Sequence, residues 1–274
     1  MKKILAIIMC ALMLTAALAG CQPANNANSN GTGDENTKKE LVIGYTDYAP
    51  MNYTEGGELV GFDTELAKAV CEKLGYTPKF QKIDWNNKYM ELSSGNIDCV
   101  WNGFTFNCED DDGVKRSDKV DFSYAYMNNE QCVVVKADKL SSLNSKDALV
   151  GKKVAAENGS AGEGCAKSLM GENGMYYGVS AQMDTLKELS SGNVDFIVID
   201  KTMAKTIIGV GDYANLAIAD GIEIEGEQYA VGFKKGSELT AKVNEALKAL
   251  AADGTLAKLA EKYGLSNYVI TDLK

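Results

Sequence analysis

The order of apolar and polar residues predicts strands and helices that alternate along most of the chain. Short apolar runs rich in branched residues are typical of buried strands, and apolar residues that recur every three or four positions are typical of amphipathic helices. These patterns predict strands at 41–45, 80–83, 97–101, 131–136, 151–156 and 229–233, and helices at 63–74, 87–93, 143–149, from about 160, 239–250 and 256–263. Such alternation indicates parallel sheets covered by helices.

One segment of this pattern occurs twice. LSSGNIDCVWNG at 92–103 returns 97 residues later as LSSGNVDFIVID at 189–200. Two similar helix–turn–strand units predict two similar lobes, although a good helix stop and strand start can also be used twice without duplication. If the lobes are equivalent, Gly103 and Asp200 both follow a strand, where open α/β sheets place their ligands. The repeat therefore predicts a cleft between two lobes.

Three aspartates beside these elements are interpreted as structural. Asp63 has the composition of a helix N-cap, and Asp98 and Asp195 are interpreted as caps or turn residues.

The first residues differ from the rest of the chain. After two lysines, the apolar run Ile4–Ala19 is too short for a permanent membrane span and ends in small residues, so 1–20 is predicted to be a signal peptide. The following Cys21 completes a sequence that resembles a lipobox, in which the cysteine is diacylated; a chance cysteine after a plain signal is the alternative. Residues 21–39 contain almost no apolar side chains and are predicted to form a lipidated, flexible tether.

Composition and charge narrow the possible functions. The 274 residues carry a net charge of -10 and include no histidine. The acidity argues against a nucleic acid partner, and the missing imidazole excludes histidine metal sites and Ser-His or Cys-His catalysis. Cys71, Cys99 and Cys132 are expected to be buried hydrophobes, and no CxxC spacing occurs. Neither a metal nor a cofactor is predicted. The sequence leaves open whether one disulfide forms.

Arg116 is the only arginine in the chain. Its planar guanidinium suits a carboxylate held by two parallel hydrogen bonds, which lysine cannot imitate. The alternative is an ordinary solvated residue after the acidic run Glu109–Asp112. That run lacks EF-hand spacing, so a solvated acidic loop is expected there. A second candidate anion site is the helix start after Asn158–Gly162, because the first N–H groups of a helix are unpaired.

A series of motifs in fixed order carries a family resemblance. It comprises the lipobox, LVIGY followed by YAP, GFDTELAKAVCEKLG, IDW, SGNIDCVWNGFTF, VDFSYAYM, VGKKVAAENGS, LSSGNVDFIVID and AVGFKKGSELTAKVNEALKALAADGTLAKLAEKYG. In this the chain resembles the solute-binding proteins of polar amino acid ABC transporters, bacterial extracellular solute-binding protein family 3, over nearly all of 40–265.

The resemblance implies an α/β, two-lobe periplasmic-binding-protein-like fold (type II). Each lobe would be a mixed sheet flanked by helices, and two crossover strands near 126–131 and 227–231 would join the lobes. The implied boundaries are 40–127 with 231–274 for lobe 1 and 128–230 for lobe 2.

The implied function is binding without catalysis. An extracytoplasmic lipoprotein, anchored in the cell membrane at Cys21, would capture a polar amino acid and deliver it to an ABC transporter permease. Two alternatives remain: a dehydratase-like enzyme on the same scaffold, with Glu157 as general acid, and a ligand-sensing partner of a receptor.

The same resemblance implies a role for each site residue. The Gly103 carbonyl and the Thr105 hydroxyl accept from the ligand α-ammonium, opposite the charge of Asp200. Backbone N–H groups at Thr105 and Ser160–Ala161 hold the α-carboxylate, which an arginine clamps. The resemblance also implies that Tyr48 and Trp85 flank the ligand side chain. With Asn102, which lies beside Gly103, and Glu157, the candidate ligand-binding residues are Tyr48, Trp85, Asn102, Gly103, Thr105, Arg116, Glu157, Ser160, Ala161 and Asp200. Trp101, in mid-strand, is expected in the core.

The chain departs from the family pattern near its arginine. Counting forward from Gly103 puts Asp110 where relatives have arginine, whereas counting backward from 120–123 puts Arg116 there. A roughly six-residue insertion within 107–115 accounts for both counts. Glu157, where relatives have lysine or glutamine, and Asp47 add carboxylates that favour a ligand with a cationic side chain; solvated charges at the lobe rim are the alternative.

Overall fold

The computed structural model describes residues 39–274. The predicted signal peptide, the lipidation site at Cys21 and the tether up to residue 38 lie outside the described residues. Within 39–274, no helix has both the length and the apolar character needed to cross a membrane.

Strands and helices alternate as the sequence pattern predicts. The strands are β1 (Glu40–Tyr45), β2 (Tyr53–Glu55), β3 (Glu58–Val60), β4 (Thr77–Lys82), β5 (Cys99–Val100), β6 (Asp121–Phe122), β7 (Met127–Lys136), β8 (Lys153–Glu157), β9 (Met175–Val179), β10 (Phe196–Asp200), β11 (Leu216–Ile218), β12 (Gly226–Tyr229) and β13 (Gly232–Phe233). The helices are α1 (Phe62–Leu74), α2 (Lys88–Ser94), α3 (Arg116–Lys119), α4 (Lys146–Leu149), α5 (Ala161–Met170), α6 (Gln182–Ser191), α7 (Lys201–Ile207), α8 (Leu239–Ala252) and α9 (Thr255–Lys262), with single 3-10 turns at Trp85–Asn87, Ala137–Lys139 and Gly211–Tyr213.

The main strands form two mixed sheets, each the centre of one lobe. In the first lobe the order is β4-β1-β5-β13-β6, with β1 parallel to β4 and β5 and with β13 antiparallel to β5 and β6. In the second lobe the order is β11-β7-β10-β8-β9, with β10, β8 and β9 parallel and β7 antiparallel to β10. Helices α1, α2 and α8 pack in the first lobe, and α5, α6 and α7 in the second. The predicted two-lobe α/β fold is confirmed.

The chain crosses between the sheets in two paired segments. The start of β7 runs antiparallel to β12, from Met127 opposite Tyr229 to Glu130 opposite Gly226. The C-terminal segment lies beside them, because the N–H of Ile270 donates to the carbonyl of Tyr126 at 2.8 Å. The strand predicted at 229–233 is therefore two strands, one on each side of the crossing. The lobe boundaries at 127/128 and 230/231 stay a prediction.

The repeated segment folds in the same way in both lobes. Helices α2 and α6 both end at a left-handed glycine, and the strand that follows runs parallel to an earlier strand of its lobe. Asp98 accepts from the N–H of Val42 at 2.7 Å, and Asp195 accepts from the N–H of Lys153 at 2.9 Å. The two aspartates thus hold equivalent strand pairs together.

Asp63 is not the helix cap that its position suggested. Gly61 is the N-cap of α1, and Asp63 lies buried in the first turn. Its carboxylate accepts from the N–H of Gly103 at 2.7 Å and from the hydroxyl of Tyr126 at 3.0 Å. The prediction was wrong because a tertiary contact with the Gly103 loop takes the carboxylate away from its own helix.

The core of each lobe follows the apolar pattern. Cys71, Cys99 and Cys132 are buried as predicted, as is Trp101. All five cysteines between residues 39 and 274 are free thiols.

Candidate functional site

The two lobes meet around a narrow cavity. Every ligand-binding residue predicted from the sequence lines it, together with two further glutamines. The lining residues are Tyr48, Trp85, Asn102, Gly103, Thr105 and Arg116 from the first lobe, and Gln131, Glu157, Ser160, Ala161, Gln182 and Asp200 from the second. Most of them lie at or just after the ends of β1, β5, β8 and β10, the edge at which α/β sheets bind ligands.

Arg116 reaches the cavity and is only 1% exposed. Its Nε donates to the carboxylate of Asp110 at 2.8 Å, and Nη1 donates to the carbonyl of Thr105 at 3.1 Å. Across the cavity, Nη2 donates to the carbonyl of Gly159 in the second lobe at 3.1 Å. Since each terminal nitrogen of a guanidinium carries two N–H groups, each has a second N–H beyond these bonds.

Residues 109–115, before Arg116, form a closed turn. Glu109 and Lys115 are bridge partners, and the N–H of Arg116 donates to the carbonyl of Cys108 at 3.1 Å. The additional residues therefore project from the lobe without displacing Arg116 from the cavity. This geometry agrees with the insertion inferred from the two counts in the sequence.

The acidic run within this turn is largely solvated, as predicted from the sequence: Glu109, Asp111 and Asp112 are exposed, and Asp110 is partly buried. Asp110 and Asp112 both pair with Lys119 at 2.8 Å, and Asp111 pairs with Lys167 of the second lobe. Burial alone would raise the pKa of Asp110, but the neighbouring cations lower it to about 2. The sequence of the run did not indicate these ion pairs, because the partner lysines come from other elements.

Asp200 brings a buried negative charge to the opposite wall. It is 5% exposed, and Oδ1 accepts from Asn129 at 2.6 Å, from Gln131 at 2.8 Å and from the hydroxyl of Tyr229 at 2.6 Å. Gln182 donates to Oδ2. Burial raises the pKa of Asp200, while these neutral donors oppose the shift. Among residues 39–274, no lysine or arginine forms an ion pair with this carboxylate.

Glu227 lies behind Asp200 on the crossing strand β12. Its Oε1 accepts from the same two amides, Asn129 at 2.6 Å and Gln131 at 2.8 Å. Burial has the largest effect on the pKa of Glu227 and the charge of Asp200 the next largest, and both raise it. Glu227 therefore keeps its proton to a higher pH than an exposed glutamate, and Asp200 is the carboxyl group of the pair that lines the cavity.

A chain of hydroxyl groups joins the two lobes beneath the cavity. The hydroxyl of Tyr48 lies 2.6 Å from Oγ1 of Thr202 and 2.7 Å from the hydroxyl of Tyr229. Gly103 approaches these rings so closely that a Cβ there would lie 2.6 Å from Cε1 of Tyr48, and its φ of 57° is left-handed. Position 103 therefore requires glycine, which leaves its carbonyl beside the cavity.

The helix start of the second lobe meets the cavity at Ser160 and Ala161. Ser160 is the N-cap of α5, and its Oγ accepts from the N–H of Glu163 at 3.1 Å. Its own N–H donates to the carbonyl of Glu157 at 3.2 Å, so it is not free for a ligand as predicted. The first-turn N–H groups of α5, beginning with Ala161, have no acceptor within the helix.

Trp85 and Glu157 complete the cavity wall, and the buried Lys88 lies beside Trp85. Trp85 packs against Phe104 with the ring centroids 5.1 Å apart. Lys88, 1% exposed, lies 5.2 Å from the Trp85 ring and donates to the carbonyl of Gly159 at 2.8 Å. Burial, with a smaller effect from the charge of Arg116, lowers the pKa of Lys88 to about 7. Burial, with the charge of Asp200, raises the pKa of Glu157 well above its ordinary value.

Comparison with known proteins identifies the family of this chain. The sequence pattern of the bacterial extracellular solute-binding proteins, family 3, matches residues 41–266. The chain belongs to this family. Its members bind solutes and are not enzymes, so catalysis by Glu157 is no longer an alternative.

Relatives of this solute-binding protein extend over its whole length. The arginine-binding extracellular protein ArtP of Bacillus subtilis (strain 168) is 34% identical over 96% of this chain and 98% of its own. The L-cystine-binding protein TcyA of the same strain is 28% identical over 96% of this chain and 97% of its own. The structure of an ancestral arginine-binding protein bound to arginine has a TM-score of 0.75 and 33% identity, covering 82% of this chain and 97% of that one.

Two residues considered at sequence level contribute differently to the solute-binding protein. The side chain of Asn102 lines the cavity, but its Oδ1 accepts from Thr46 and its Nδ2 donates to Thr46 and Asn52. Because both ends of the amide are used, Asn102 holds the loop before Tyr48 and is not a free polar contact. Asp47 pairs with Lys82 and does not line the cavity.

Sequence reasoning missed both glutamines of the cavity wall. Gln131 and Gln182 donate to Asp200 from different elements, β7 and α6. The one available signal was that Gln131 is the polar residue at the start of the apolar run of β7. Gln182 carries no such signal, because its contact depends on how α6 packs beside β10.

We expect the free energy of unfolding of the empty solute-binding protein to fall as the pH rises from about 4 to about 7. Burial raises the pKa of Asp63 from 3.8 to about 7, and the pKa values of Glu157 and Glu227 are shifted the same way. The unfolded chain releases these protons near pH 4, so their stabilisation is complete below that pH and is lost as the pH rises through the folded-state pKa. Urea unfolding across this range measures it. Glu157→Gln and Glu227→Gln should each flatten the profile, and a wild-type profile that rises with pH would contradict the expectation.

Proposed function

We propose that this solute-binding protein captures an α-amino acid between its lobes and delivers it to an ABC transporter permease. One observation carries the proposal: a buried carboxylate, Asp200, and a buried guanidinium, Arg116, line opposite walls of one small cavity. An amino acid is a zwitterion, and withdrawing it from water costs several kcal/mol per ion unless both charges are paired. The two walls offer a partner for each charge.

The α-ammonium group would lie on the Asp200 side. Four neutral donors hold the carboxylate of Asp200 in place, and no cation of residues 39–274 neutralises it. The carbonyl of Gly103 and the hydroxyl of Thr105 are further acceptors that line the same cavity. An ammonium group needs three acceptors, which this set supplies.

The α-carboxylate would lie on the Arg116 side. Each terminal nitrogen of Arg116 retains one N–H, and α5 begins with unpaired N–H groups at Ala161. Hydrogen bonds between charged partners are about twice as strong as neutral ones. Thr105, between Gly103 and Arg116 along the cavity wall, is expected to contact both ends of the ligand.

The relatives support this ligand class. ArtP and TcyA are named for the binding of amino acids, and the ancestral protein holds arginine. Their sequences are 28–34% identical to that of this chain.

Delivery requires the lobes to open and close. The crossing strands β7 and β12 form the natural hinge, and the contacts of Arg116 and Lys88 with Gly159 join the lobes across the cavity. A ligand that binds both lobes favours the closed form, which a permease can distinguish from the open one. We place lobe 1 at 40–127 with 231–274 and lobe 2 at 128–230. The protein is extracellular, as its family is, and we propose a diacyl anchor at Cys21 that keeps it at the cell membrane.

A thermal-shift screen tests the proposal. The twenty amino acids, ornithine and cystine are each added to the purified protein, and at least one should stabilise it by about 2.7 kcal/mol when present at a hundred times its Kd. The control is the amine that corresponds to the best ligand but lacks its α-carboxylate, and it should give no shift. If no amino acid shifts the transition, or if the amine is equally effective, the zwitterion site is refuted.

A further inference from the structure

Glu157 lies in the cavity wall without a partner. It is 3% exposed, and its Oε1 is fully buried and has no hydrogen-bond partner. Among the residues that the structure describes, no lysine or arginine forms an ion pair with it. A buried carboxyl group in this condition costs free energy in both protonation states, because the charge is unpaired in one and an acceptor is unsatisfied in the other.

Lys88, the cation with the largest effect on the pKa of Glu157, does not pair with this carboxyl group. Lys88 influences the pKa of Glu157, but its Nζ donates to the carbonyl of Gly159 at 2.8 Å and to that of Trp85 at 3.4 Å. The opposing Arg116 is paired with Asp110. The protein thus leaves an acceptor without a protein donor at this point of the cavity, where a ligand can supply the donor.

The position of Glu157 distinguishes this acceptor from the site proposed for the α-ammonium group. Glu157 ends β8 and Asp200 ends its parallel neighbour β10, so the two carboxyl groups lie at adjacent strand ends of the second lobe. Trp85 lines the same cavity from the first lobe. If Asp200 takes the α-ammonium, as the proposed function requires, Glu157 is left for a second positive group of the same molecule.

We infer that the ligand is an amino acid with a cationic side chain, and that Glu157 is the residue that selects it. This inference rests on the proposed function. A guanidinium or ammonium group at the end of the ligand side chain pairs with Glu157, while the α-amino and α-carboxylate groups pair with Asp200 and Arg116. Pairing with a buried carboxylate favours arginine, lysine or ornithine over ligands of equal length that lack the charge.

Matched ligand pairs test the inference by isothermal titration calorimetry. Arginine is compared with citrulline, which replaces the guanidinium by a neutral ureido group of the same shape, and lysine is compared with norleucine. In the wild type, at least one cationic ligand should bind at least about tenfold more tightly than its neutral counterpart. Glu157→Gln should weaken that cationic ligand by about ten- to a hundredfold and change the neutral one by less than about threefold.

The control variant is Glu130→Gln. Glu130 is also a carboxylate of the second lobe, but it is partly exposed, pairs with Lys201 and does not line the cavity. It should leave both affinities within about twofold of the wild type.

The outcomes separate this inference from the proposed function. If citrulline, norleucine or glutamine binds as tightly as the cationic ligands, Glu157 serves as a neutral donor and the inference is overturned, while amino acid capture stands. If Glu157→Gln weakens charged and neutral ligands equally, its role is structural and the inference is again overturned. If the wild type binds no amino acid, the proposed function itself fails.

Discussion

Asp200→Asn is expected to weaken amino acid binding by about 2–5 kcal/mol, the largest effect of any single substitution in the cavity. The substitution keeps the shape of the side chain but removes the one charge that faces the ligand ammonium from this wall. It also turns one carboxylate oxygen into a donor. Since Asn129, Gln131, Gln182 and Tyr229 all donate to Asp200, at least one of them then loses its acceptor.

Calorimetry with the best ligand of the thermal-shift screen measures the loss. Glu227→Gln is the matched comparison, because it removes the neighbouring buried carboxyl group, which does not line the cavity. Its effect on binding should be clearly smaller. Urea unfolding of both empty variants separates binding from stability. Equal losses of affinity in the two variants would mean that Asp200 and Glu227 together, and not Asp200 alone, carry the interaction with the ligand ammonium.

Arg116→Lys is expected to weaken binding by about 1.5–3 kcal/mol, the range for hydrogen bonds to charged groups. Lysine keeps the charge but cannot bind Asp110, Thr105 and Gly159 while it also holds a carboxylate with two parallel bonds. The loss should appear for every amino acid that binds, because the α-carboxylate is common to all of them. A neutral amide at the α-carboxyl end of the ligand should lose affinity for the wild type and much less for the variant.

Lys119→Gln provides the control for Arg116→Lys. Lys119 lies in the same short helix and binds Asp110 and Asp112, but it does not line the cavity. Its replacement should change binding by less than about 1 kcal/mol. If Arg116→Lys retains wild-type affinity, Arg116 is removed from the proposed site and its role is limited to fixing the inserted loop.

The parts of this site that were accessible from sequence are those with a fixed spacing to a recognisable segment. Arg116 was located by its distance from 120–123, and Gly103 and Asp200 by the repeat. That these residues bind a ligand stays a prediction, but they do line one cavity. The fold class was accessible for the same reason, since alternating periodicities and the repeat both extend over whole lobes.

The parts that were not accessible depend on contacts between distant segments. Asp63 looks like a helix cap locally, but its carboxylate supports the loop at Gly103. Most of the acidic run is solvated as predicted, but its sequence does not show that Asp110 pairs with Arg116 or that Asp111 pairs with Lys167 of the other lobe. No local pattern encodes such pairs, because each partner has an ordinary alternative in its own neighbourhood.

Because Arg116 is the single arginine of the sequence, its chemical modification can report the opening of the lobes. A dicarbonyl reagent that is selective for guanidinium groups has only one target in the whole sequence, and that target is 1% exposed while the lobes are in contact. Modification then requires the lobes to separate. The rate at which the adduct mass appears in a mass spectrum therefore measures how readily the lobes open. The protein can be followed in this way without a fluorophore, a tag or an introduced cysteine.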